Sequence, residues 1–112
     1  MHDNQKFMSN FKLSSLLNKL ILTYQRGGMA EVKIFAKNHN IILEDNQIQV
    51  MIVTNEKAID DIREAVNACG GVYQLHYRNL LQAKVPLGSL EALSQRQDIK
   101  VIREPQRAIL NE

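Results

Sequence analysis

The sequence predicts an α+β domain, in which an antiparallel sheet carries two helices on one face and follows a helical N-terminal segment. Two observations predict this class. Between residues 48 and 105, short apolar runs alternate with stretches of helical periodicity in the order strand, helix, strand, strand, helix, strand. Glycine pairs, Gly27-Gly28 and Gly70-Gly71, follow two of the helical stretches, where glycine tolerates the left-handed turn that ends a helix.

The N-terminal segment predicts a hairpin of two helices joined at the first glycine pair. The first helix is expected over residues 11–26, where the apolar side chains have helical spacing and form one stripe. These are Leu13, Leu16, Leu17, Leu20, Ile21 and Tyr24. The second helix is expected over residues 29–38, and the polar run Asn38-His39-Asn40 ends it.

The next segments predict a hairpin and then a strand–helix unit. Residues 41–43 and 48–53 are apolar and flank the polar residues 44–47, which is typical of a hairpin connection. Asn55 is suited to cap the helix that follows, because its side chain can accept a hydrogen bond from a free backbone N–H. That helix carries an apolar stripe formed by Ala58, Ile59, Ile62, Ala65, Val66 and Cys69.

The second half of the domain repeats the pattern. Strands are expected over residues 72–77 and 80–85, with a tight turn at Arg78-Asn79. Pro86 is suited to the first position of a short helix over residues 87–94, and the last strand, residues 99–103, is stopped by Pro105.

Two strand–helix–strand units joined in this way make a four-stranded antiparallel sheet with both helices on one face, which is the ferredoxin-like plan. The side chains expected on the other face are Gln49, Met51, Val53, Leu80 and Ile102. Such a partly apolar face is either a contact surface or the seat of the N-terminal helices, and the sequence leaves both open. The expected divisions are residues 1–44, a helical extension with a hairpin strand, residues 45–106, the sheet domain, and residues 107–112, a C-terminal tail.

Composition excludes several classes of partner. The net charge is +2 and its charges are scattered, so no acidic partner, nucleic acid or membrane is indicated. The N-terminus lacks the apolar run of a signal peptide, and the longest apolar cluster, residues 16–24, is too short to span a bilayer, so we expect a soluble protein. The single Cys69 cannot form a disulfide within the chain, which slightly favours the cytoplasm.

No residues are spaced as a catalytic or metal-binding group, so we expect neither enzyme activity nor a cofactor. The three histidines, His2, His39 and His76, have no second ligand at a metal-binding spacing. The two strands expected at the centre of the sheet contain no aromatic residue on which a nucleic-acid base could stack.

Four segments in this order resemble the propeptide of subtilisin-type serine peptidases. They are residues 68–72, Ala-Cys-Gly-Gly-Val; residues 80–86, Leu-Leu-Gln-Ala-Lys-Val-Pro; residues 90–93, Leu-Glu-Ala-Leu; and residues 98–104, Asp-Ile-Lys-Val-Ile-Arg-Glu. The shared pattern is a helix, a glycine pair, two strands, a short helix and a last strand after an aspartate. It extends over about residues 48–110.

The resemblance implies an inhibitor and intramolecular chaperone that acts on a subtilisin-type peptidase in cis or in trans. In that family the open sheet face packs on two surface helices of the peptidase, and the C-terminal tail lies in the substrate cleft. Carried over, the sheet face contributes Met51, Val53 and Leu80, and the docking edge Ile102 and Glu104, with Glu104 capping a peptidase helix. The tail residues in the cleft are Ala108, Ile109, Leu110 and Asn111.

Two alternatives from other classes remain open. One is a non-catalytic interaction or oligomerisation module on the same fold, which could form a homodimer through the sheet face. The other is a small-molecule sensor domain, although the first strand–helix loop, Thr54-Asn55, lacks the glycine that such domains often place there.

Overall fold

The structure, a computed structural model, describes residues 10–105 of the chain as three helices and five strands. The helices are α1 (Ser15–Asn38), α2 (Ile59–Ala68) and α3 (Leu90–Ser94), and the strands are β1 (Leu43–Glu44), β2 (Gln47–Val53), β3 (Val72–Tyr77), β4 (Leu80–Pro86) and β5 (Val101–Arg103). Short 3₁₀ turns lead into α2 and α3. The expectation of an α+β domain with an antiparallel sheet is confirmed.

Strand β2 lies at the centre of the sheet. It pairs antiparallel with β4 along its whole length, and on its other side it pairs with β1 at its start and with β5 at its end. Strand β3 pairs with β4 and lies at the edge. The order across the sheet is therefore β5-β2-β4-β3, with β1 beside the start of β2.

The apolar core lies on one face of this sheet. Every second residue of β2 and β4 is buried and the residues between are only partly covered, which is the two-residue period of a sheet with one buried face. Leu20 of α1, Ile62 of α2 and Leu90 of α3 are fully buried in the same cluster. All three helices therefore pack on this face, where each large apolar side chain removed from water contributes about 1.5–3 kcal/mol.

Helix α1 begins later than the sequence indicates. Its first residue is Ser15, because the Ser14 side chain caps it and accepts a hydrogen bond from the Leu17 N–H at 3.2 Å. The helix is interrupted at Gly28, whose φ of 73° is the left-handed conformation that glycine tolerates. The glycine pair thus breaks the helix where the sequence predicts a break, and the hairpin arrangement of the two halves stays a prediction.

The hairpin between β1 and β2 has a two-residue turn. Asp45 and Asn46 both have positive φ values, 53° and 64°, as a type I′ turn requires. Strand β1 is shorter than the apolar run predicts, because the Ile41 N–H donates to the Ala36 carbonyl and its side chain is buried at the end of α1.

Candidate docking surface

The face of the sheet opposite the helices, called the open face below, is built from side chains that the strand pairing sets in rows. The row at the end of β2 consists of Val101, Val53, Leu80 and Tyr77, one residue from each of four neighbouring strands. The next row consists of Arg103, Met51, Gln82 and Leu75, and the third of Gln49, Lys84 and Val72. The first row is entirely apolar and the third is mostly polar, so the open face has an apolar end and a polar end.

The apolar end includes side chains that stand well out from the sheet. Leu75 is 52% exposed and Tyr77 is 64% exposed, and both lie on the edge strand β3. Met51, Val53 and Leu80 are partly buried. Since the described helices all pack on the other face, this apolar end has no helix over it within residues 10–105.

The polar side chains at the other end of the open face form hydrogen bonds and an ion pair with one another. The Gln74 Oε1 atom accepts hydrogen bonds from Gln49 Nε2 at 2.9 Å and from Gln82 Nε2 at 3.0 Å, which links β2, β3 and β4. Lys84 forms an ion pair with Glu44 of β1. These contacts tie the polar side chains of three neighbouring strands to one another.

An irregularity in β3 determines which of its side chains reach the open face. The register shifts between Tyr73 and Leu75, so Gln74 is the inserted residue of a β-bulge. As a result Leu75 and Tyr77 share the open face with Val72, which a regular strand would not allow. Sequence reasoning assigned no face to Leu75 and Tyr77. The predicted tight turn at Arg78-Asn79 is the signal that could have found them, because it sets Tyr77 opposite Leu80.

The sequence-based placement of Ile102 on the open face is wrong. Ile102 is fully buried and pairs directly with Ile52, so its side chain belongs to the core. Val101 and Arg103 take the open-face positions of β5 instead. A strand of three residues is too short for its pattern of apolar and polar residues to show which side chains face the core.

Glu104, the expected cap of a partner helix, has a partner within its own chain. Its Oε1 atom accepts a hydrogen bond from the Ser14 hydroxyl at 2.7 Å, which places the carboxylate at the N-terminus of α1. A carboxylate is stabilised at that end of a helix by the dipole. The capping of a peptidase helix by Glu104 stays a prediction.

The outer edge of β5 is occupied by the segment before α1. The Ile102 N–H donates to the Lys12 carbonyl at 2.7 Å, and the Ser14 N–H donates to the Ile102 carbonyl at 2.9 Å, in a parallel arrangement. This edge is consequently closed to strand addition, whereas the β3 edge has no strand beside it among the residues that the structure describes.

The turn that leads into β5 is fixed by an ion pair and a buried hydroxyl. Arg96 and Asp98 make two hydrogen bonds of 2.9 Å each. These bonds hold the pKa of Asp98 below its ordinary value and raise the pKa of Arg96. The hydroxyl of Thr54, at the end of β2, donates to the Asp98 carbonyl, so the start of β5 is tied to the central strand.

The remaining expected contact residues, Ala108, Ile109, Leu110 and Asn111, lie outside the described residues. Within residues 10–105, no group of three or more His, Cys, Asp or Glu side chains could hold a metal ion. In the same part of the chain, none of the helices combines the length and apolar character needed to cross a membrane.

Comparisons of the chain with models of protein families, with curated proteins and with solved structures find no match.

Proposed function

We propose that this protein is a propeptide-like inhibitor and intramolecular chaperone of a subtilisin-type serine peptidase. Its open face docks on the peptidase, and its C-terminal tail enters the substrate cleft. The domain performs no catalysis itself.

The topology supports this proposal. Helix α2 connects β2 to β3 and α3 connects β4 to β5, and the order β5-β2-β4-β3 keeps each connected pair apart in the sheet. This is the connectivity expected of a ferredoxin-like domain with two helices on one face. The resemblance to subtilisin propeptides requires that plan.

The uncovered apolar end of the open face is the observation that carries the proposal. Val53, Leu80 and Tyr77 form a continuous apolar row on a face from which all three described helices are absent. Apolar surface of this kind marks interaction sites in soluble proteins, because its burial by a partner is favourable. A protease–inhibitor interface of standard size buries about 800 Å² on each partner, to which the open face and the tail would both contribute.

The end of β5 supports a role for the tail. The last described residues, Glu104 and Pro105, directly follow β5, which is one of the strands that form the open face. An extended segment can add to the edge of a cleft through backbone hydrogen bonds and place alternate side chains in pockets.

The experiment is to mix the whole chain with an active subtilisin-type peptidase and to follow hydrolysis of a small peptide substrate. The chain should slow hydrolysis, and a chain lacking residues 107–112 should lose inhibition while keeping its circular dichroism spectrum. If the shortened chain inhibits as well as the whole chain, the cleft role of the tail is wrong.

A second candidate is an oligomerisation module on the same fold. It is favoured by Val72, Leu75 and Tyr77, which are each more than half exposed on an edge strand that has no neighbour among residues 10–105. Analytical ultracentrifugation distinguishes the two candidates. A stable dimer that dissociates when Tyr77 is changed to Lys would support the module, and a monomer at all concentrations would support the inhibitor.

A further inference from the structure

The segment before α1, residues 10–14, is bound on two sides by other parts of the fold. On one side, the backbone of Lys12 and Ser14 pairs with Ile102 of β5. On the other side, Asn10 Nδ2 donates to the Ser94 hydroxyl at 2.7 Å, and Lys12 Nζ donates to the Arg96 carbonyl at 2.8 Å. The segment therefore joins the end of α3 to the outer edge of the sheet.

One side chain of α1 holds the same segment in shape. The Asn18 amide donates to the carbonyls of Asn10, Leu13 and Ser14 at 3.0, 3.1 and 3.2 Å. Its Oδ1 atom accepts from the Asn10 N–H at 2.9 Å. Because a partly buried amide is used for four contacts, residues 10–14 have a defined conformation beside β5, and we call this segment the clasp.

The clasp contacts the end of β5 through Ser14. Glu104 and Pro105, the two residues that follow β5, are called the tail root below. The Ser14 hydroxyl accepts from the Leu17 N–H at 3.2 Å and donates to Glu104 Oε1 at 2.7 Å. One hydroxyl group thus connects the N-terminus of α1 to the last acidic residue before the tail. The second oxygen of the carboxylate keeps its capacity to accept a hydrogen bond from a partner.

We propose that the clasp is a positioning device for the C-terminal tail, with Ser14 as its positioning residue. By holding Glu104 next to the α1 N-terminus, the clasp sets the direction in which the chain leaves β5 before any partner is bound. Orienting a binding segment in advance reduces the entropy that is lost on association. The consequence for a peptidase rests on the proposed function, whereas the clasp and its effect on the tail root do not.

Three variants of the whole chain separate this role from helix capping. Ser14→Asp keeps an N-cap acceptor for the Leu17 N–H, but it removes the donor to Glu104 and adds a like charge beside it. Ser14→Thr keeps both functions of the hydroxyl. Ser15→Asp adds the same charge one residue away, at an exposed position, and is the matched control. Circular dichroism and urea titration establish that each variant is folded.

The first readout needs no partner. Trypsin cleavage after Arg103, followed by mass spectrometry, reports opening of the tail root, since cleavage requires this paired strand to detach. Ser14→Asp should raise this rate about tenfold, the change expected on loss of a hydrogen bond to a charged group. The rates of Ser14→Thr and Ser15→Asp should match the unchanged protein. Equal rates for all four proteins would overturn the clasp.

The second readout is the inhibition constant against a subtilisin-type peptidase, measured as a double-mutant cycle with Glu104→Ala. Ser14→Asp should weaken inhibition about tenfold in the unchanged background and should add nothing when Glu104 is already alanine. Equal effects in the two backgrounds would overturn the positioning role. If even the unchanged chain does not inhibit, the proposed function fails, and the trypsin readout alone decides whether the clasp fixes the tail root.

Discussion

Gly71 lies between the end of α2 and the start of β3, and its Cα atom faces the backbone of β4. A Cβ atom at this position would be 2.5 Å from the Lys84 carbonyl oxygen and 3.1 Å from the Val66 carbonyl oxygen. The absence of a side chain is therefore what lets the end of α2 approach the sheet so closely. The glycine pair was expected to end the helix, and this second role depends on the position of β4, which the sequence does not reveal.

We predict that Gly71→Ala lowers the free energy of unfolding by about 1–3 kcal/mol, because backbone atoms of β4 and α2 would have to move. Gly88→Ala is the control, since a Cβ atom there meets nothing within 4 Å. Urea titration of the two variants measures the difference. Similar losses of stability in both would contradict the close packing at Gly71.

Because of the Arg96–Asp98 ion pair, we expect the free energy of unfolding to fall at acid pH. The pKa of Asp98 is lowered in the folded protein, mainly by its hydrogen bond from Arg96, relative to about 3.9 in the unfolded chain. Its stabilising contribution is therefore fully present above the unfolded value and is lost as the pH falls through the lower folded value.

We expect Asp98→Asn to be less stable than the unchanged protein at pH 6, and the gap to narrow as the pH is lowered from about 4 toward 2. Urea titrations across that range measure the two free energies of unfolding. A gap that stays constant with pH would show that the charge of Asp98 is not the source of its effect.

At the scale of elements, the existence and order of the helices and strands follow from the sequence, and their ends depend on contacts between distant residues. Ser14 ends the N-terminal irregular segment because it caps α1 and pairs with β5, whereas the apolar stripe alone extends back to Leu13. Asn55 is a local signal for a helix start, and its side chain caps the 3₁₀ turn that leads into α2 by accepting from the Ala58 N–H at 3.1 Å.

In strand β3, one inserted residue changes which side chains lie on the open face. If Gln74 were paired as in a regular strand, Val72 and Tyr77 would lie on opposite faces of the sheet, and the open face would lose one of these two apolar side chains. Instead, pairing resumes at Leu75 opposite Gln82. Nothing local in the sequence marks Gln74 as the inserted residue. The face on which Val72 lies could therefore not be predicted.

We predict that deletion of Gln74 preserves the fold, because Leu75 would then follow Tyr73 in regular register and remain opposite Gln82. The main loss would be the two amide hydrogen bonds to Gln49 and Gln82, about 1 kcal/mol each. Circular dichroism and urea titration measure this outcome. An unfolded or aggregated variant would mean that the bulge is needed for a different reason.

At the scale of the whole molecule, the central feature is the difference between the two sheet faces. The helices pack on one face, and the other has no described helix over it. Burial of Ile48, Val50 and Ile52 was predictable from their alternation, and so was the placement of Met51 and Val53 on the other face. The location of α1 was not, because its apolar stripe fits either face equally well. Leu17 and Val32 show that both halves of α1 join the core on the helix side.

This arrangement leaves the open face without a helix in the described part of the chain, and the proposed function depends on it. Val53 lies in the middle of the apolar row, while Ile34 is 56% exposed and belongs to α1, a helix that packs on the other face of the sheet. The two residues form a matched pair for testing which surface a peptidase contacts. A lysine introduced in a buried interface would be left without a partner charge, which is costly.

The most direct measurement is the inhibition constant of the Val53→Lys and Ile34→Lys variants against a subtilisin-type peptidase, after urea titration has shown that both are folded. The open-face account predicts that Val53→Lys weakens inhibition at least about tenfold, a loss of about 1.4 kcal/mol, and that Ile34→Lys leaves it unchanged. Equal inhibition by the two variants, or a loss confined to Ile34→Lys, would contradict docking through the open face.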